Sequence, residues 1–203
     1  YLPAMPKMSE YFNVTSSMVN LTLISFFFFF AVGTLLCGPL SDKYGRKLVL
    51  IAGSAAYCIM SIICVLSPNI QIMIVARIFQ GIGAGAIIAV SIALVKDCFS
   101  GKQRETILAV VQSASSLAPM IAPVVGAMLL KFTDWRGAFI LLTLTGFLCF
   151  MMSCLYQETL NEEERLSEST LATIGKLITI GKNAGFLIPC FIFSLFNLAF
   201  MGY

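Results

Sequence analysis

An all-α membrane protein is the fold class this sequence predicts, and three observations predict it. Hydrophobic residues are 59% of the 203 and charged residues 11%, against roughly 25% charged in an ordinary soluble domain. The mean hydropathy is +0.92. The few charges are also segregated: none falls within 11–41, 48–76, 78–95, 106–130, 137–157 or 183–203. A spanning helix takes about 20 predominantly apolar residues, so these are six helix-sized runs. A soluble protein with six of them would have almost nothing left for its surface. Barrel strands are about ten residues of alternating polarity, whereas these runs are long and apolar on every face.

The elements follow in order along the chain. Tyr1-Leu2-Pro3-Ala4-Met5-Pro6 reads as the exit of a helix whose body lies upstream, with no initiator methionine and no signal-peptide pattern. A helix near 19–41 carries the Phe26–Phe30 run, read as lipid-facing bulk. It leads into Gly-Pro-Leu-Ser-Asp-Lys-Tyr-Gly-Arg-Lys at 38–47, a cation-rich turn with two glycines, placed where the chain leaves a membrane and re-enters at once. Helices near 48–66 and 70–95 are parted by the short turn Ser67-Pro68-Asn69. A polar loop at 96–105 precedes helices near 106–130 and 137–156. Residues 157–185 change character. Glu158, Glu162, Glu163, Glu164, Arg165 and Glu168 crowd the first half, and 171–178 has the apolar spacing of a surface-lying amphipathic helix. A last apolar run occupies 186–203. The organisation expected is a transmembrane bundle at 1–156, a linker at 157–185 and the start of a second bundle at 186–203.

Charge placement orients the chain. Lys43, Arg46, Lys47, Lys96, Lys102, Arg104, Arg165, Lys176 and Lys182 fall in the loops on one side, and only Lys7, Lys131 and Arg136 on the other. Cytoplasmic loops carry the excess of Lys and Arg. This puts 38–47, 96–105 and 157–185 in the cytoplasm and 7–18, 67–69 and 131–136 outside. The net charge of +3 therefore reflects topology rather than nucleic-acid binding. The seven cysteines include no Cys-x-x-Cys pair and there is no histidine, so neither a metal site nor a disulfide framework is supported. Clustered acids and a serine-based triad are also missing, which argues against an enzyme and leaves no catalytic residue to name.

Two segments carry the candidate chemistry. Arg77 lies seven residues into the run that begins at Ile70, roughly 10 Å deep at about 1.5 Å per residue. An arginine at the bilayer centre costs about 2.5–3.5 kcal/mol on insertion scales and is by default a functional candidate. The alternative is that its stem snorkels to the outer headgroups. Gln80 at i+3 and Gly81 at i+4 share its face, and snorkelling calls for neither. The same helix continues with Gly85, Ala89 and Ala93, and the next has Ala114, Ala118, Ala122 and Gly126. Such small-residue rows let helices approach closely in lipid. Within the second row stand Pro119 and Pro123, each removing a backbone hydrogen bond, as in a hinge or a helix shaped to a partner.

These segments together resemble the major facilitator superfamily of transporters. Gly38, Asp42, Gly45, Arg46 and Lys47 match its loop signature between helices two and three, Gly-x-x-x-Asp-x-x-Gly-Arg-Lys. Arg77, Gln80, Gly81, Gly83 and Ala84 are similar to its fourth-helix motif. Ala118, Pro119, Ala122, Pro123 and Gly126, within 118–127, resemble the antiporter motif of the fifth helix, with alanine at Ala122 and Ala127 where glycine is usual. The opening Tyr-Leu-Pro-Ala-Met-Pro and Asp134-Trp135-Arg136 further resemble the Bcr/CflA-type drug:proton antiporters. Gln157-Glu158-Thr159 is similar to the family's Pro-Glu-Thr, with glutamine for proline.

The resemblance implies the six-helix N-terminal half of that fold plus the start of helix seven, in a multi-pass protein of the bacterial inner membrane, monomeric at full length. It implies secondary active transport by alternating access: proton-coupled efflux of drugs or other small amphipathic molecules, with the proton gradient as energy source and no cofactor. Asp42, Arg46 and Asp97 would form a cytoplasmic charge relay with Gly38, Gly45 and Lys47. Arg77, Gln80 and Gly81 would couple protons to substrate, and 119–126 would seal the interface between halves. No Asp or Glu lies inside a complete apolar run; the resemblance places the titrating acid just before Tyr1. A same-fold transporter of a sugar or metabolite is the alternative, and a non-transporting membrane enzyme or scaffold a more distant one.

Overall fold

The structure is a computed structural model that describes residues 2–158 together with 185, 187–189, 191, 192, 194 and 195. The chain divides into two compact units, Tyr1–Arg165 and Leu166–Tyr203. The expected amphipathic stretch 171–178 and most of the run 186–203 lie outside the described residues. In the first unit a 3₁₀ turn, Leu2–Ala4, leads to α1 (Met5–Phe12), α2 (Ser16–Tyr44), α3 (Arg46–Leu66), α4 (Ile70–Cys98), α5 (Gly101–Phe132) and α6 (Arg136–Leu155). No strand occurs among the described residues. Helices α2 to α6 are each long and apolar enough to cross a membrane, and the chain is an all-α, multi-pass membrane protein.

The helix ends depart from the sequence expectation in one consistent way. The decapeptide 38–47 is helical except at Gly45, and the 96–105 loop shrinks to Phe99 and Ser100. The reason is length. Helices α2 and α4 have 29 residues each, about 44 Å at 1.5 Å per residue, against a hydrocarbon core of about 30 Å. A helix of that length reaches past such a layer, so Asp42, Lys43, Lys96 and Asp97 can occupy its last turns without ending it. The expected outer loop 7–18 likewise contains α1. That helix stops at Asn13, whose left-handed conformation (φ 51°, ψ 49°) points its N–H back to the carbonyls of Ser9 and Glu10. At the start of α4 the Asn69 carboxamide accepts the Ile72 N–H at 2.9 Å, a side-chain cap.

Helix α4 is the centre of the bundle, packing on α2 along one side and α3 along the other. Its small residues make this possible. A Cβ at Gly81 would stand 2.5 Å from the Phe26 carbonyl oxygen, and one at Gly85 2.5 Å from backbone atoms of both Phe30 and Thr34. Gly83, on the other face, would meet the Gly53 carbonyl oxygen at 2.6 Å. The row read from sequence as a packing device is therefore the α2–α4 seam.

At the α1 end, Met8, Val19, Cys64, Met73, Trp135 and Phe139 form the main buried apolar cluster. Arg136 closes that end, its Nε donating to the Val65 carbonyl at 3.1 Å and its Nη2 to the Tyr11 hydroxyl at 2.7 Å. Large apolar side chains such as Phe28, Leu48, Leu66 and Phe132 face outward, which suits lipid rather than water.

Candidate functional site

At the opposite end, Gly45 alone separates α2 from α3, at φ 98° and ψ 149°. An L-residue rarely adopts that conformation, so glycine is required for the reversal. The reversal brings Arg46 back under the last turn of α2. Arg46 is buried, with 7% of its surface exposed. It forms an ion pair with Asp42 through Nη1. Its Nε donates to Asp97 Oδ2 at 2.9 Å, and Nη1 also donates to Ser41 Oγ at 2.6 Å. The fully buried Ser41 hydroxyl in turn donates to the Gly38 carbonyl at 2.7 Å. Thus α2, α3 and the last turn of α4 are joined through one guanidinium, whose planar fork can serve several acceptors at once.

The main chain of the same residue is held as well. Glu158 accepts the Arg46 N–H on Oε1 and the Lys47 N–H on Oε2, each at 3.1 Å. A carboxylate so placed satisfies two orphan donors and complements the positive end of the α3 dipole. Lys47 enters this cluster through its backbone, and its side chain is half-buried. A Cβ at Gly38 would meet nothing within 4 Å, so no packing among the described residues accounts for glycine there.

The second cluster lies mid-bundle. Arg77 is 4% exposed and Gln80 fully buried. Arg77 Nη1 donates to Gln80 Oε1 at 2.7 Å, and Nε makes a long bond to the Thr22 carbonyl at 3.4 Å. The guanidinium carbon stands 4.1 Å from the centroid of the Phe26 ring and 5.7 Å from that of Phe139, both within cation–π range. Gln80 Nε2 donates to Ser61 Oγ at 2.6 Å, and Ser61 donates to the Tyr57 carbonyl at 2.7 Å. The head of Arg77 is thus enclosed between α2, α3, α4 and α6, and is not extended to a headgroup layer. Gly81 contributes space, since its missing Cβ lets the Phe26 backbone approach.

The third group does not converge. Helix α5 runs unbroken through Pro119 and Pro123. Ala118, Pro119, Ala122 and Pro123 are exposed, and only Gly126 of its residues is buried. Ala114, Ala118, Ala122 and Gly126 line, with Ala138, Leu141 and Leu142 of α6, an apolar groove of about 530 Å³.

Sequence reasoning missed four participants. Ser41 lay in plain view within the decapeptide, but nothing in its spacing singles it out. Ser61 sits on α3 with no local pattern linking it to Gln80. Glu158 was read only as part of a motif. Phe26 belongs to the run that the sequence assigns to lipid, and the structure places its ring on Arg77 instead. Phe26 and Phe30, four apart, turn inward, while Phe27 and Phe28 face out.

The family model described as Major Facilitator Superfamily matches residues 1–203. The chain is 33% identical over 184 residues to the uncharacterized MFS-type transporter YdgK of Bacillus subtilis, covering 88% of this chain and 46% of that protein. It is 33% identical over 145 residues to a chloramphenicol resistance protein of Pseudomonas aeruginosa, covering 71% and 35%. Over 153 residues it is 27% identical to the multidrug resistance protein MdtL of Shigella flexneri, covering 75% and 39%. The chain spans half or less of the length of these three relatives.

Proposed function

The chain belongs to the Major Facilitator Superfamily, and on that premise we propose that it is the N-terminal half of a proton-coupled exporter of drugs or other small amphipathic molecules. The observation that carries the proposal is the pairing of two devices on α4. A charged lock sits at one end, and a buried arginine network sits in the middle of the bundle. The Asp42–Arg46–Asp97 cluster holds α2, α3 and α4 in one arrangement and opens when that arrangement changes. Arg77, fixed by Gln80 and faced by Phe26, keeps a permanent positive charge where a neighbouring acid or a ligand would sense it. Rocking of one half against the other around a midplane site is the motion such a pair would govern.

In this reading the Pro119–Gly126 stretch of α5, exposed except at Gly126, meets the second half, 157–185 links the halves, and the proton gradient supplies the energy with no cofactor. The protein works as a monomer in the lipid bilayer of a bacterial inner membrane. The substrate class is supported by the relatives named for chloramphenicol and multidrug resistance.

The test uses the complete protein that contains this chain, reconstituted in proteoliposomes under an imposed pH gradient. Chloramphenicol should move against the proton flow and stop when the gradient is collapsed. A sugar or metabolite moving in its place would establish the alternative substrate class. Movement indifferent to the gradient would remove proton coupling.

A further inference from the structure

We infer that Ser61 is a positioning residue for Arg77: it dictates which way round the Gln80 amide sits, and through it the direction of the buried guanidinium. The inference rests on the transport reading of Arg77. A glutamine amide has two orientations related by a half-turn, and its partners decide between them. Toward Arg77 only the oxygen serves, because a guanidinium donates and never accepts. Toward Ser61, whose hydroxyl can donate or accept, the nitrogen serves while the Ser61 proton is engaged elsewhere. The Ser61 proton is already given to the Tyr57 carbonyl at 2.7 Å, one turn back along α3, so the hydroxyl offers a lone pair to α4. Reversing the amide would set N–H against N–H at 2.7 Å and oxygen against oxygen at 2.6 Å. Both contacts would turn repulsive together.

Burial makes the arrangement strict. Gln80 and Ser61 are fully buried and Arg77 nearly so, so water is not at hand to replace a lost partner. The donors therefore run one way, from Arg77 to Gln80 to Ser61 to the Tyr57 carbonyl, crossing from α4 to α3. Gly83 makes the crossing possible. Its missing Cβ would otherwise stand 2.6 Å from the Gly53 carbonyl oxygen and 2.8 Å from the Tyr57 nitrogen. On the α2 side Phe26 covers a face of the guanidinium. A ring face tolerates rotation of the cation above it, so the in-plane direction falls to hydrogen bonds such as the one Arg77 donates to Gln80.

Two measurements on the complete protein test this. The first is a double-mutant cycle on Tm that requires no transport. Ser61→Ala should lower Tm in the parent and leave it unchanged in a Gln80→Met background; an equal loss in both overturns the inference. Should Ser61→Ala fail to accumulate, Ser61→Cys, of similar volume and weaker accepting power, enters the cycle in its place. The second is chloramphenicol transport in proteoliposomes at matched protein levels. Ser61→Ala should reduce the maximal rate about tenfold, within the 5–150-fold range of typical couplings between sites, with little change in KM. Ser61→Thr, which keeps a hydroxyl able to bond one turn back, should restore it. Equal rates for parent and Ser61→Ala, or equal losses for Ala and Thr, overturn the inference. A parent that does not move the drug defeats the transport reading instead, and the cycle alone then decides whether Ser61 orients the amide.

Discussion

Arg77 and Arg46 are both arginines with less than a tenth of their surface exposed, yet their surroundings differ in kind. Arg46 has two carboxylates at one end of the bundle, an arrangement that a change of partner or of hydration can release. Arg77 has an amide and an aromatic face in the interior, which hold the group in a fixed geometry and leave its charge unneutralised by them. Lysine at position 77 would keep the charge and lose the fork. Arg77→Lys should insert and fold as the parent does, while losing transport by about 5–150-fold, the range of a 1–3 kcal/mol coupling. Transport at the parental rate would make the residue an anchor and nothing more. Arg77 and Gln80 were legible because a charge in an apolar run stands out and i+3 spacing puts a polar group on its face. Ser61 and Phe26 were not. The first needs the α3–α4 crossing, and the second differs from Phe27 only in which way the helix turns it.

At the scale of elements, glycines decide what approaches what. Gly85→Ala places a methyl 2.5 Å from two backbone atoms of α2, which cannot yield as a flexible side chain would. It should cost about 1–3 kcal/mol, as overpacking does, read as a lower Tm of the purified protein. Gly45→Ala should cost a similar amount, about 1–3 kcal/mol, because φ 98° is strained for any residue with a Cβ. The turn also holds Arg46 in register with Asp42 and Asp97. Asp42→Asn keeps the shape and removes one charge from Arg46. It should shift the resting balance between conformations by about 1–3 kcal/mol, read as spin-label distances between the two halves of the complete protein. Unchanged distances with parental efflux would reduce Asp42 to a solvated surface acid. Helix existence and order were legible from apolar runs of bilayer length. Helix ends were not, since charged residues mark where the membrane stops and a helix can continue into water.

For the whole molecule, the alternation of charge along the chain becomes a separation in space. Arg46, Asp97 and Glu158, from three successive cation-rich segments, meet at one end. Tyr11, Val65 and Arg136, from the cation-poor ones, meet at the other. An even number of spans between 45 and 136 would put these two groups together; α3, α4 and α5 make three, and the fold keeps them apart. Which end is cytoplasmic then follows from the excess of Lys and Arg, and chemical labelling can test it. Ser41 is a natural choice from the sequence, but it is fully buried and accepts a bond from Arg46, so a cysteine there would report burial rather than side. Cys98 is already exposed at the end of α4, and Pro68 is exposed in the turn between α3 and α4. With the remaining cysteines replaced, an impermeant maleimide added to intact cells should label Pro68→Cys and leave Cys98 untouched until the membrane is permeabilised. Labelling of Cys98 alone would invert the topology, and with it the face on which the Asp42–Arg46–Asp97 lock would close.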